Sequence, residues 1–209
     1  MSREERERIE REARCLAQQG DLAGASTAAI RGLGPELYGF LVGFHRSEQD
    51  ASEVFSIVTE RLWRGLPTFD WACSLRTWAY TIARNASITH QEEAARRARE
   101  HVPLSQVPEL SQLIEQVRSE TAAHLKTETK SRVAALRASL TVDERMLLSL
   151  RVDRELDWNE LVRVLHDGGE PLEGEALRRE AAKMRKRFQA LKEKLGELAR
   201  REGLLGKAR

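Results

Sequence analysis

Residues 63–85 read WRGLPTFDWACSLRTWAYTIARN. The Gly65–Pro67 step should end one helix, because glycine and proline both interrupt helical structure. A short loop follows at residues 68–73, and Ser74 has the side chain of a helix N-cap. The next helix is expected to run to about Arg99, with apolar residues recurring along one side. Those apolar residues are Leu75, Trp78, Ala79, Ile82 and Ala86. The segment thus predicts helix, loop and helix, with Arg76, Thr77 and Arg84 opposite the apolar side.

The rest of the chain also has the pattern of helices. Only five prolines occur in 209 residues, and no stretch alternates apolar and polar residues as a half-buried strand would. Ser47 and Asp157 are expected N-caps, and Gly32-Leu33-Gly34-Pro35 predicts a break between helices. The predicted fold is therefore all-α, with two small helical domains joined by a linker. The expected boundaries are 1–30 for an N-terminal helical extension, 31–100 for the first domain, 101–135 for the linker and 136–209 for the second domain.

Charge is distributed unevenly along the chain. Although the net charge is only +2, residues 48–60 contain four acidic residues and no Lys or Arg. Residues 175–194 contain eight basic residues and three acidic ones. Asp50, Glu53 and Glu60 fall on one side of a helix by their spacings of three and seven. Two segments of opposite charge indicate two different partners, one of them polyanionic. Ordinary solvated helix faces would give the same pattern.

No pattern of an enzyme or a metal protein is present. The chain lacks a phosphate-binding glycine loop and the motifs HExxH and GxSxG. Its five histidines are scattered, and its two cysteines form no CxxC pair. We therefore expect no catalysis, no cofactor, no metal and no small-molecule substrate. No run of about 18 apolar residues exists, so we expect a cytoplasmic protein with no membrane partner.

Aromatic residues are concentrated in the segment quoted above. Five of the eleven aromatic residues in the chain lie there, interleaved with arginines. Aromatic rings can stack on unpaired bases while guanidinium groups hold phosphates, but a small aromatic core is the alternative. We favour a core or partly buried position for Trp63 and Trp78. Phe69 and Trp71 lie in the loop, where a functional role is favoured.

A long helix is expected from about residue 175 to 201. Its apolar residues are spaced alternately by four and three: Leu177, Ala181, Met184, Phe188, Leu191, Leu195 and Leu198. Such a stripe can be a coiled-coil seam or a face that packs on short helices. Because it spans barely three heptads, we favour the packing face.

Several of these motifs resemble those of sigma-70-type transcription factors. Ser74-Leu75-Arg76-Thr77-Trp78 with Ile82-Ala83-Arg84-Asn85 resembles the family's promoter −10 helix. Asp50-Ala51-Ser52-Glu53 with Leu62-Trp63 resembles its polymerase-contacting helix. Residues 136–166 resemble the fourth conserved region, up to the first half of a helix-turn-helix, and Met184–Phe188 resembles its recognition helix. With no middle regions, the chain resembles the extracytoplasmic-function (ECF) group over roughly residues 20–200.

The resemblance implies a sigma factor that binds the RNA polymerase core and promoter DNA. Asp50, Glu53 and Glu60 would contact the basic coiled coil of the core, the beta-prime clamp helices. The implied −10 contacts are Phe69, Trp71, Arg76, Thr77, Trp78, Arg84 and Asn85. The implied −35 contacts are Arg178, Arg179, Lys183, Arg185, Lys186 and Arg187. Trp78 is equally well explained as a wedge at the duplex edge or as core, and Asn85 as a base reader or a helix brace. Control by an anti-sigma factor is common in the family, but no residue here indicates one.

Two alternatives and two departures from the family stay open. A helix-turn-helix regulator acting without core polymerase would explain the C-terminal half alone. A degenerate relative acting as a helical interaction protein would use the apolar stripe as a partner seam. Residues 167–174 lengthen the family's usual turn, which leaves the start of the −35 recognition helix open. Phe55-Ser56 stands where the family commonly has a polar pair.

Overall fold

A computed structural model of the chain describes residues 1–45, 47–97, 136–137, 139–166 and 172–201. The chain divides into two compact units, residues 1–126 and 127–209. The first unit contains α1 (Arg3–Gln18), α2 (Leu22–His45), α3 (Glu48–Gly65), a 3₁₀ turn (Leu66–Thr68) and α4 (Leu75–Arg97). The second contains α5 (Val142–Leu148), a π-helical turn (Ser149–Asp153), α6 (Trp158–Leu165) and α7 (Gly174–Arg201). The described residues contain helices and no strand, which confirms the predicted all-α class.

The N-terminal residues form a helix that packs on α2. Ser2 caps α1 through a capping box with Glu5, so the helix begins in a fixed geometry. Ile9 and Ala13 are buried, and the side chain of Ile9 lies where a Cβ on Gly32 would stand, 2.7 Å away. The absence of a side chain at Gly32 therefore allows α1 to approach α2 closely. The boundary expected at residue 30 falls inside α2.

The predicted break at Gly32-Leu33-Gly34-Pro35 is wrong. α2 continues through Pro35, whose ring removes the hydrogen bond to the carbonyl of Arg31. Both residues are exposed, so water can bind the carbonyl that loses its partner. On the opposite side Leu33 and Leu37 are buried, and this packing stabilises the helix across the proline.

The core of the first unit lies between α2, α3 and α4. Ser47 caps α3 as predicted, because its Oγ accepts a hydrogen bond from the Asp50 N–H at 3.2 Å. The rings of Tyr38 and Phe55 join α2 to α3, with centroids 5.2 Å apart. Phe40 and Tyr80 join α2 to α4 in an edge-to-face contact at 5.4 Å. α4 is thus covered by neighbouring helices over much of its circumference.

The second unit is built on α7. Thr141 and Asp157 cap α5 and α6 through capping boxes with Glu144 and Glu160, and the Asp157 cap was predicted. Four residues of the apolar stripe on α7 are buried in the core: Leu177, Ala181, Met184 and Leu191. This burial confirms the interpretation of the stripe as a packing face. The predicted linker at 101–135 and the predicted turn at 167–171 lie outside the described residues.

Candidate nucleic-acid interface

Three aromatic side chains form a contiguous row beside the start of α4. The ring of Phe69 stacks on Trp78, with centroids 4.6 Å apart and planes 16° apart. It also contacts Trp71 at 4.9 Å, with the rings tilted by 50°. All three side chains are half-buried, so part of each ring faces solvent. We call Phe69, Trp71 and Trp78 the aromatic row. The structure thus brings together the two loop aromatics and Trp78, which is neither fully core nor fully exposed.

The backbone at Trp71 has an unusual conformation. Its φ is +60°, in the left-handed region that bulky residues seldom adopt, at a cost of about 1–3 kcal/mol. Asp70 supports the turn, because its Oδ1 accepts a hydrogen bond from the Ala72 N–H at 3.0 Å. From α1, the guanidinium of Arg14 lies 5.5 Å from the centre of the Trp71 ring. Sequence analysis missed Arg14, because nothing distinguishes it from the other arginines of α1.

Arg76 and Thr77 do not lie on a solvent-facing side of α4. Arg76 is 5 % exposed and Thr77 is 1 % exposed, so the prediction that they lie opposite the apolar side is wrong. Arg76 donates from Nε to Glu36 Oε1 at 3.0 Å and from Nη2 to the same oxygen, which also accepts from the Tyr80 hydroxyl at 2.8 Å. The Ser74 Oγ accepts from the Thr77 N–H at 3.0 Å as the predicted N-cap. These two residues therefore fix the start of α4, where α2 supplies the counter-charge.

Arg84 and Asn85 lie about two turns further along α4. Asn85 is exposed, and its Oδ1 accepts a hydrogen bond from Arg84 Nη1 at 3.2 Å. Asn85 is seven residues from Trp78, which places both on the same side of the helix. Asn85 is therefore not enclosed by the packing of the helices. It extends the surface of the aromatic row along α4.

The predicted acidic residues lie together on α3. Glu53 is exposed, and the side chains of Asp50 and Glu60 are 46 % and 35 % exposed. Glu60 forms an ion pair with Arg64 at 2.9 Å, one turn further along the helix. Asp50 Oδ1 lies 3.4 Å from Nε2 of the buried His90 on α4. We call Asp50, Glu53 and Glu60 the acidic arc.

The six basic residues predicted for DNA contact lie on the solvent-facing side of α7. All six are exposed: Arg178, Arg179, Lys183, Arg185, Lys186 and Arg187. Lys183 Nζ donates to Glu180 Oε1 at 2.6 Å, and this hydrogen bond lowers the pKa of the Glu180 carboxyl. We call the six residues the basic face. It belongs to one continuous helix, which begins at Gly174.

Trp158 is a further residue that sequence analysis did not single out. It begins α6, directly after the Asp157 cap, and its ring lies 5.7 Å edge-to-face from Phe188 on α7. The guanidinium groups of Arg151 and Arg185 lie 4.6 Å and 5.7 Å from its ring. Trp158 thus links α6 to the basic face through packing and cation–π contacts. In the sequence, this role is indicated only by the position of the tryptophan, directly after the predicted cap Asp157.

The described residues contain neither a group of metal ligands nor a helix suited to a membrane. Within the described ranges, no three His, Cys, Asp or Glu side chains are grouped as metal ligands. None of the described helices is both long and apolar enough to cross a membrane. Cys15 and Cys73 do not form a disulfide.

Comparison with known proteins identifies the first unit. The family model for sigma-70 region 2 matches residues 29–97. The match begins within α2 and ends with α4, so it contains the acidic arc, the aromatic row and the Arg76–Glu36 pair, whereas α1 precedes it. Neither the curated proteins nor the solved structures contain a significant match to the chain. The region 2 match supports a sigma-factor-like role in promoter recognition. Residues 29–97 are therefore similar to sigma-70 region 2, and this similarity supports a relation of the chain to the sigma-70 family.

Proposed function

We propose that this chain is an ECF-type sigma factor, which binds core RNA polymerase and directs it to initiate at a specific set of promoters. The observation that carries the proposal is the half-exposed aromatic row beside Asn85, within the residues that match sigma-70 region 2. The first unit would open and hold the −10 element, and the second would bind the −35 element. Transcription by this polymerase takes place in the cytoplasm, where we propose that the chain acts.

The aromatic row suits the binding of single-stranded DNA. Opening a duplex requires bases to be unstacked, and stacking of a released base on an aromatic side chain returns about 1–3 kcal/mol. Phe69 and Trp71 are half-buried, and the ring of Trp78 stacks on that of Phe69. Asn85 can form two hydrogen bonds with one base edge, and Arg84 orients its amide. Arg76 and Thr77 contribute indirectly, because they hold the first turn of α4 in place.

The acidic arc suits a basic partner. Exposed charges at the rim of an interface accelerate association and fix its orientation more than they raise its affinity. The family implies that this partner is the core polymerase, and we propose the beta-prime clamp helices as the surface bound. Asp50 and Glu53 lie about one turn apart on α3, and we expect their joint substitution to weaken this association.

The second unit suits a helix-turn-helix in which α7 enters the major groove of the −35 element. α6 packs on α7, and the basic face lies opposite the packing face. Most of its contacts would be with phosphates, which gives a steep dependence of affinity on salt. Trp158 of α6 contacts Phe188 and Arg185 of α7, and these contacts hold the two helices against each other.

A helix-turn-helix regulator that works without core polymerase is the second candidate. The exposed basic face favours DNA binding by the second unit alone. That candidate gives no role to the acidic arc or the aromatic row. Tight binding to promoter DNA in the absence of core polymerase would favour it over our proposal.

Two double variants, each lacking two charged side chains, test which unit binds core polymerase and which binds promoter DNA. Asp50→Ala with Glu53→Ala should weaken co-purification with core polymerase and leave DNA binding by the second unit unchanged. Arg185→Ala with Arg187→Ala should weaken promoter binding and leave co-purification unchanged. Circular dichroism checks that each variant keeps its helix content. If each pair of substitutions abolished both activities in a folded chain, the assignment of functions to the two units would be wrong.

A further inference from the structure

Arg14 and Trp71 make a contact that joins α1 to the aromatic row. Arg14 belongs to α1, which precedes the region 2 match, whereas Trp71 lies within it. We infer that Arg14 is a positioning residue, which holds Trp71 in its binding conformation and extends the −10 site onto α1. The DNA-binding part of this inference rests on the proposed function.

α1 is packed against α2, so its position, and with it the position of Arg14, is fixed. Ile9 and Ala13 of α1 are buried, and Gly32 allows the close approach of α1 to α2. The Ser2–Glu5 capping box fixes the beginning of the helix. Arg14 follows directly after Ala13, so its Cα is held by the buried neighbour while its side chain reaches the loop.

The strained backbone of Trp71 makes a contact that stabilises this conformation useful. A bulky residue at φ +60° costs free energy, and an unsupported loop would relax to other conformations. Phe69 contacts the Trp71 ring within the loop, and Arg14 contacts it from α1. A ring held in place before DNA arrives loses less conformational entropy on binding. The guanidinium also keeps N–H donors that can hold a phosphate of the bound strand.

Other arginines on α1 provide a matched control. Arg11 is exposed and pairs with Glu7 on the same helix, at 3.9 Å from Nη1 to Oε2. Arg11→Ala therefore removes the same charge from the same helix without removing the Trp71 contact. Arg14→Lys keeps the charge but replaces the planar group with a compact ammonium, so it should restore the contact only in part.

Indole nuclear magnetic resonance signals measure the positioning directly, without DNA. The full chain has four tryptophans, and Trp71→Phe assigns the indole N–H signal of Trp71. Arg14→Ala should shift this signal, Arg14→Lys should shift it less, and Arg11→Ala should leave it in place. The signal of Trp63, on α3 of the same unit, reports that the first unit is folded in each variant. An unchanged Trp71 signal in folded Arg14→Ala would overturn the inference.

Single-strand binding then measures the consequence for DNA. The probe is a fluorescein-labelled oligothymidylate of about 12 nucleotides, titrated with the full chain at low salt. Arg14→Ala should raise Kd about two- to fivefold, the size expected for one exposed cation–π contact, and Arg11→Ala should not. A shifted indole signal with an unchanged Kd would overturn the DNA-binding part. If the wild-type chain did not bind the probe, the proposed −10 function would fail, and the indole signals would still decide whether Arg14 positions Trp71.

Discussion

Arginines on helices occur in two very different settings in this protein. Arg76, on α4, is 5 % exposed and paired with Glu36, whose Oε1 also accepts a hydrogen bond from the Tyr80 hydroxyl. Arg178, Arg179, Arg185 and Arg187, on α7, are all exposed. Both groups were predicted to contact DNA. The comparison shows that arginines with the same predicted role can differ in burial. Arg76 is enclosed by packed helices and is part of the fold, whereas the arginines of α7 face solvent.

The difference has an energetic consequence. A buried ion pair contributes little over an apolar pair of the same shape, but removing one partner leaves a charge without compensation. An exposed arginine loses almost nothing in stability when it is truncated. Substitution of Arg76 or Glu36 should therefore act on folding, whereas substitutions on the basic face should act on DNA binding.

The largest effect is expected for Glu36→Ala. It leaves the buried guanidinium of Arg76 without its counter-charge, so the free energy of unfolding should fall by about 3–5 kcal/mol. Urea denaturation followed by circular dichroism measures this change. Arg187→Ala is the control and should stay within about 0.5 kcal/mol of the wild type. A loss below about 1 kcal/mol for Glu36→Ala would show that Arg76 is not held as described.

Trp71→Gly should separate binding from stability within the first unit. Glycine adopts φ +60° without strain, so the free energy of unfolding should not fall substantially. Loss of the ring should weaken binding of single-stranded DNA by about 1–3 kcal/mol, measured by fluorescence anisotropy. Trp63→Phe, outside the aromatic row, is the control. Unchanged DNA affinity in Trp71→Gly would argue against the aromatic row as a stacking surface.

Arg185→Ala with Arg187→Ala should reduce the dependence of promoter binding on salt. Each phosphate contact contributes about one unit to the slope of log K against log salt, so the slope should fall by about two. Titrations at several salt concentrations give this slope. An unchanged slope would indicate that the basic face does not contact phosphates. The exposed arginines of α7 would then not differ from the buried Arg76 in their role in DNA binding.

The smallest effect is expected for Glu144 in the second unit. The hydrogen bond from Lys194 Nζ, at 2.8 Å, and that from the Thr141 N–H lower the pKa of Glu144 below its ordinary value of 4.5. A lowered pKa in the folded state stabilises the unit above pH 4.5, and this contribution is lost as the pH falls through the lowered pKa. Acid denaturation of wild type and Glu144→Gln tests this. The variant should show less loss of stability on acidification, and equal loss would contradict the assignment.

Local features of the fold could be predicted from the sequence, and features that depend on tertiary contacts could not. The caps at Ser47, Ser74 and Asp157 were predicted, because a cap depends on the residues of one helical turn. The continuation of α2 through Pro35 was not, because burial of its apolar side outweighs the local cost of proline. In the same way, no local pattern shows that Glu36 neutralises Arg76 or that Arg14 reaches Trp71.

Run-off transcription with purified core polymerase tests the central proposal most directly. Core enzyme alone and core enzyme with the chain are compared on a library of genomic fragments. We predict transcripts with defined start sites only when the chain is present, and their loss with Asp50→Ala combined with Glu53→Ala. The absence of chain-dependent initiation from every fragment would contradict the proposal that this protein directs promoter-specific transcription.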